Sequence, residues 1–383
     1  MKILFKETGL HAFEYVHKPI VDALRLLDIS ITNDISEEVD FVYYGNNNSY
    51  EYYASLPKSI TKGFPIEFLL KSHLQDMAKS AGINYLPNEV LANESTITNF
   101  PDISVILKPI QGALSRRTYS FVYKLYATKA ELITDIANTG PTFFVTDESG
   151  YTPCTDYIIQ QAIMPDSSGY SNLFFVPVFI NGQGKMIDEG IANAKMTFNE
   201  LHDIAPELYP LGTLRVETIR DTEDHSDQYN ILQQLQQLID FYSIKNTPMN
   251  MQWIVDAAGK SYLIDVGFNF QRGSYFISDI VSPEFFADKL KFVYDLQPTI
   301  QQPMTGWIGL IDLFITSDYS DTMSYIIGLG FHAVNGWMPI NKNGPSKIKV
   351  FGFNFSSRKE FDEKVNLARI YIRDNTATNT LMF

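Results

Sequence analysis

The stretch MQWIVDAAGKSYLIDVGFNFQRG, residues 251–273, constrains the fold of this chain more than any other. Two apolar-rich runs flank Ala257-Ala258-Gly259-Lys260, the pattern of two antiparallel strands closed by a glycine-bearing turn. If those four residues form the loop, Asp256 pairs with Ser261, Ile254 with Leu263 and Gln252 with Asp265. Directly opposed residues share one face, with Cβ atoms roughly 5 Å apart. An amide oxygen and a carboxylate are then expected side by side, with Asn269 and Arg272 just beyond the second strand. Oxygen donors beside an arginine suit a hard cation that carries phosphates. A half-solvated hairpin also bears polar residues on one face, so the pairing by itself leaves both readings open.

At 383 residues the chain is long enough for two or three domains. Its 45% hydrophobic content excludes wholesale disorder. A net charge of −14 argues against a general nucleic-acid binder, because that affinity rests on Lys and Arg neutralising phosphates. A local basic pocket for one nucleotide is compatible with the same charge. Cys154 is the only cysteine, so neither a disulfide framework nor a thiolate zinc site is expected. No run approaches the roughly 20 apolar residues of a membrane helix. Lys6, Glu7 and His11 interrupt the opening apolar run too early for a signal peptide. A cytoplasmic setting without a membrane partner is the simplest expectation.

Along the chain, strand and helix patterns alternate. Lys2 to Phe5 reads as a strand, Tyr15 to Leu27 as a helix and Phe41 to Tyr44 as a second strand, a small α/β layer. After Gly63, apolar positions at Phe68, Leu69, Leu74 and Met77 predict one amphipathic helix that stops at Gly82. Strands are expected at Val105 to Leu107, Tyr119 to Leu125, Ile158 to Ile163 and Phe174 to Ile180, the last ending in an Asn181-Gly182 turn. A helix opens at Lys129. Ile231, Leu232, Leu235, Leu238, Ile239 and Tyr242 mark another amphipathic helix, with Gln233, Gln234, Gln236 and Gln237 as its polar face. Pro and Gln between Gln297 and Pro303 suggest a boundary before a C-terminal region with a strand at Ile308 to Ile315 and a helix at Lys359 to Ile372.

Three motifs precede or form the hairpin in a fixed order. ILKPIQGALSRR, Ile106 to Arg117, ends a strand on Lys108 and continues into a loop with Gly112. YIIQQAI, Tyr157 to Ile163, is a further strand. The hairpin then presents Gln252 and, on its second strand, Asp265. In this order and spacing the chain resembles an ATP-grasp enzyme, and its hairpin is similar to that of the carbamoyl-phosphate synthetase large subunit. The resemblance covers roughly residues 60 to 275 and extends weakly to the N-terminal layer. It implies an α/β ATP-grasp fold with an N-terminal α/β (pre-ATP-grasp) domain at 1–62 and a linker helix and small subdomain at 63–163. A large subdomain at 164–296 carries the hairpin, and a C-terminal extension occupies 297–383.

The same resemblance implies ATP and Mg²⁺ as cofactors. Gln252, Asp265 and Asn269 would be the metal ligands, with Asp265 as the bridge. Gly267 departs from the family, which has Asn there in a Glu-x-Asn pattern, and Asp265 is one methylene shorter than the usual Glu. Lys71, Lys108 and Gly112 would meet the phosphates, the backbone of Gln160, Gln161, Ala162 and Ile163 the adenine, and Asn172 the ribose. Arg272 and Lys195 would act at the transferring group, while Arg116, Arg117, Arg215 and Arg220 carry no definite role. A basic side chain beside a mobile loop covers the triphosphate and excludes water. The reaction implied is activation of a carboxylate as an acyl phosphate, then attack by an amine or thiol. Its partners are small-molecule carboxylate and amine substrates, and homodimerisation is common among such ligases. Two other expectations stand beside it: an ATP-grasp carboxylase, and a nucleotide-binding regulator on a decayed ATP-grasp frame. Tyr43, Tyr44, Tyr50, Tyr52 and Tyr53 line a substrate pocket or simply pack together.

Overall fold

A computed structural model describes residues 1–5, 18–43, 50–58, 61, 65–91, 100–110, 114–115, 124–139, 143–147, 150–153, 157–163, 170–188, 192–197, 214–218, 229–268, 283–296, 307–315, 320–333, 338–339, 346–375 and 380–382. It divides into two compact units. The first comprises Met1–Met164, Val176–Asp188 and His225–Ile300; the second comprises Pro165–Phe175, Glu189–Asp224 and Gln301–Phe383.

The first unit opens on a parallel three-stranded sheet, Lys2–Phe5 between Ser30–Thr32 and Phe41–Tyr43. Parallel strands need covered faces, and the apolar run Ile3, Leu4, Phe5 is buried accordingly. The helix Lys18–Leu26 packs Ile20, Val21, Ala23 and Leu24 into that core. Ala287, Leu290, Val293 and Tyr294 close it from the distant helix Pro283–Val293 and the residue after it. Tyr43 and Tyr53 are packing residues: both are buried, Tyr43 stacks on Phe5 at 4.9 Å, and the Tyr53 hydroxyl donates to Tyr43 O.

The expected single helix after Gly63 is two pieces, a 3₁₀ turn Ile66–Leu69 and an α-helix Lys71–Ser80. Leu70 between them is extended (φ −102°, ψ 115°), and the Lys71 amide leaves the helix to donate to Ile110 O at 2.8 Å. The apolar spacing runs through the break because both pieces bury the same side, so periodicity alone does not reveal it. Lys71, Leu74, Gln75 and Ala78 lie at helical spacing and are all buried. The helix ends as expected, with Gly82 in the left-handed region at φ +72°.

An antiparallel four-stranded sheet follows, in the order Asn88–Leu91, Tyr157–Gln161, Val105–Pro109, Lys124–Tyr126. Ile158 pairs with Lys108 and Gln160 with Ile106. A smaller antiparallel sheet joins Leu114–Ser115, Phe143–Asp147 and Gly150–Pro153. The helix Ile231–Tyr242 buries Ile231, Gln234, Leu235, Leu238 and Ile239. Gln234 is therefore not on a polar face, which corrects the sequence expectation. It pairs instead with polar groups around the hairpin: Oε1 accepts from Asn84 N and Nε2 donates to Ser261 Oγ at 2.7 Å.

The second unit is antiparallel, its strands Ala192–Thr197, Leu214–Thr218, Trp307–Ile315, Ser346–Phe355 and Phe331–Ala333 pairing in that order. Phe331, Phe355 and Phe361 pack ring to ring, with centroids 5.6 to 6.1 Å apart. The helices Ser320–Gly328 and Arg358–Asn375 stack Tyr325 on Tyr371 at 3.9 Å. No helix among the described residues is long and apolar enough to cross a membrane.

Candidate functional site

The hairpin strands are Thr247–Val255 and Ser261–Gly267. Gln252 opposes Asp265 as expected, yet the register beyond them is not the expected one. Val255 pairs with Ser261, Ile254 with Tyr262 and Trp253 with Leu263, so the pairs Ile254–Leu263 and Asp256–Ser261 do not occur. The loop has one more residue than the sequence suggested, because Asp256 N donates to Lys260 O and closes it. Asp256 Oδ1 also accepts the Ala258 and Lys260 amides, both at 2.9 Å. A register shift between Gln252 and Trp253 restores the original pairing from there on. Ile264 is the residue skipped, the signature of a bulge.

That bulge joins the hairpin to the strands before it. Lys108 Nζ donates to Ile264 O at 3.2 Å and to Gln160 Oε1 at 2.7 Å. Lys108 and Gln160 are diagonal neighbours on one face of their sheet: Lys108 opposes Ile158, two residues before Gln160, and Gln160 opposes Ile106, two residues before Lys108. The Gln160 side chain is thereby committed to orienting the lysine. The Gln161 and Ala162 amides are also committed, donating to Pro87 O and Ser104 O at 2.9 Å each. Lys71 approaches from the helix: its Nζ is 3.9 Å from Asp265 Oδ1. Gln75, one helical turn on, fixes this approach by donating to Leu263 O at 2.8 Å and accepting the Leu86 amide at 2.6 Å.

Two lysines and one carboxylate thus share a small, largely buried volume. Burial pushes the Lys108 ammonium down to about 8; the Asp265 carboxylate raises it and Lys71 lowers it further. Lys108 is 3% exposed, a costly place for a cation. A polyanion beside it would offset that cost. Gln252 is the one residue of its strand that is not buried, and it lies opposite Asp265. Among the described residues no three His, Cys, Asp or Glu side chains come together. The donors present, a carboxylate and a carboxamide, fit Mg²⁺, which keeps several positions for water and phosphate.

Lys71, Lys108, Gln160, Gln252 and Asp265 are therefore brought together. Gln161, Ala162 and Ile163 continue from the Gln160 strand. Asn172 lies on the strand Tyr170–Ile180 and Lys195 on Ala192–Thr197; both belong to the second unit, and their side chains are not described. Gly112, Asn269 and Arg272 lie outside the described residues. Gln75 and Gln234 were not anticipated, although the spacing of Lys71 and Gln75, one turn apart beside buried Leu74, places both on the buried face.

This architecture is the ATP-grasp fold. The chain is similar to a crystal structure of an L-amino acid ligase from Bacillus licheniformis, with 11% identity, a TM-score of 0.59 and 96% of each chain covered. It is also similar to a carboxyaminoimidazole ribonucleotide synthase from Aspergillus clavatus complexed with ATP, with 10% identity, a TM-score of 0.64, and 97% of this chain and 98% of that one covered. A biotin carboxylase from Campylobacter jejuni matches at 13% identity and a TM-score of 0.51, over 96% of this chain and 90% of that one. No family model and no curated protein sequence matches the chain.

Proposed function

We propose that this protein is an ATP- and Mg²⁺-dependent ligase that activates a carboxylate as an acyl phosphate for attack by an amine or thiol. The observation that carries it is the buried Lys108, tied at once to Gln160 of the strand Tyr157–Gln161 and to Ile264 of the hairpin. In this reading Lys108 and Lys71 would hold the γ-phosphate, and Arg272 and Gly112 would complete the clamp. Asp265 is the principal metal ligand, Gln252 and Asn269 are weaker ones, and bound Mg²⁺ neutralises the phosphates. The backbone of Gln160 to Ile163 would border the adenine. The carboxylate oxygen attacks the γ-phosphorus and ADP leaves. The nucleophile then attacks the acyl carbon, gives up a proton and releases phosphate. Little covalent chemistry falls to the protein, so positioning and charge neutralisation account for catalysis. The name of one similar structure, an L-amino acid ligase, supports amino acids as the carboxylates to try first.

The test is ADP release with Mg²⁺ across a panel of amino acids, other carboxylic acids and bicarbonate, with and without amines. Release that needs both an acid and Mg²⁺ is expected. Tight ATP binding with no release under any pair would overturn the ligase reading in favour of a regulator.

A further inference from the structure

Asn250 is a polar residue with no role in the site so far. It lies on the first hairpin strand, two residues before Gln252, and is 6% exposed. Its Oδ1 is sealed from solvent and has no hydrogen-bond partner among the described residues. A buried oxygen left unpaired costs about 1–3 kcal/mol, so a native strand that keeps one needs a reason.

The register supplies it. Asn250 opposes Gly267, and Gln252 opposes Asp265, before the shift that begins at Trp253. Residues two apart on a strand share a face, so these four positions form one patch. Gly267 contributes no side chain, which leaves three oxygen-bearing groups at the other three positions. Gly267 stands where the Glu-x-Asn pattern would carry its carboxamide.

We propose that Asn250 Oδ1 is a ligand of the metal held by Asp265 and Gln252, a carboxamide supplied from the first strand in place of the second. Opposed Cβ atoms are about 5 Å apart, so an amide at 250 reaches the volume that an amide at 267 would occupy. Mg²⁺ and Mn²⁺ both accept such neutral oxygen donors beside a carboxylate. The ligand that Gly267 cannot supply is thus provided across the hairpin, whether or not Asn269 also contributes. The assignment rests on the reading of this hairpin as a metal platform.

The probe is Mn²⁺ in the presence of ADP, with free Mn²⁺ followed by electron paramagnetic resonance and folding followed by thermal melting. The intact protein is expected to bind Mn²⁺·ADP, and Asn250→Ala to weaken it by about tenfold or more. Asn250→Asp, which keeps the shape and adds a charge, should tighten it. Adding Gly267→Asn to Asn250→Ala should restore binding by returning the amide to the second strand. If Asn250→Ala melts earlier yet binds Mn²⁺·ADP like the parent, Asn250 holds only a buried water and the assignment falls. Should Asn250→Ala not fold, unchanged affinity in Asn250→Asp overturns it equally. If the intact protein binds ADP but no Mn²⁺, the metal platform itself fails, a result distinct from failure of Asn250 alone.

Discussion

Lys108 is where the chemistry of the site is most exposed to test. Its ammonium is buried against an amide oxygen and a backbone carbonyl, and burial holds its pKa near 8 against an ordinary 10.5. The sign follows from proton counting. Between about 8 and 10.5 the unfolded chain binds the proton that the folded chain has lost, so nucleotide-free stability rises with pH across that window. Below about 8 the cost of the buried charge is fully present. Nucleotide binding is expected to run the other way, since only the charged form attracts phosphates. ADP affinity, measured by calorimetry from pH 7 to 9.5, should therefore fall as pH rises through about 8. Lys108→Met should bind weakly and lose that pH dependence; an unchanged profile in Lys108→Met would remove Lys108 from the phosphate site.

The hairpin and the helix Lys71–Ser80 form the element that positions this lysine. Gln75 bridges them through Leu263 O and receives the Leu86 amide. Gln75→Leu leaves two buried backbone groups unpaired, and a loss of about 2–4 kcal/mol in a denaturant melt is expected. The displaced helix should also weaken ADP binding, because Lys71 sits one turn before Gln75. The pairing of Gln252 with Asp265 was legible in the sequence, but through an incorrect loop. An added loop residue and the bulge at Ile264 cancel, so the inner pairs shift while the outer one survives. Nothing in a hydrophobic pattern signals a bulge whose purpose is to meet a lysine from another sheet. The break at Leu70 escaped for a similar reason, since it depends on Ile110, distant in sequence. Gln234 looked like part of a polar face because its partners, Asn84 and Ser261, come from segments far along the chain.

At the scale of the molecule, the ATP-grasp fold was legible in the order of three short motifs, none of which is specific alone. Structural likeness extends over nearly the whole chain at 8–13% identity. The division into two units was not legible, because each is assembled from segments separated in sequence. The packing of Pro283–Val293 onto the N-terminal sheet shows why: a contact of that span leaves no local trace. In the proposed function, Asp265 and its neighbours hold a metal-nucleotide complex. Calorimetric titration of ATP with and without Mg²⁺, on the parent chain and on Asp265→Asn, tests it most directly. Tight binding that requires Mg²⁺ is expected in the parent and lost in Asp265→Asn, with Asp265→Asn still folded at the assay temperature. Equal Mg²⁺-dependent binding by the two proteins would contradict it.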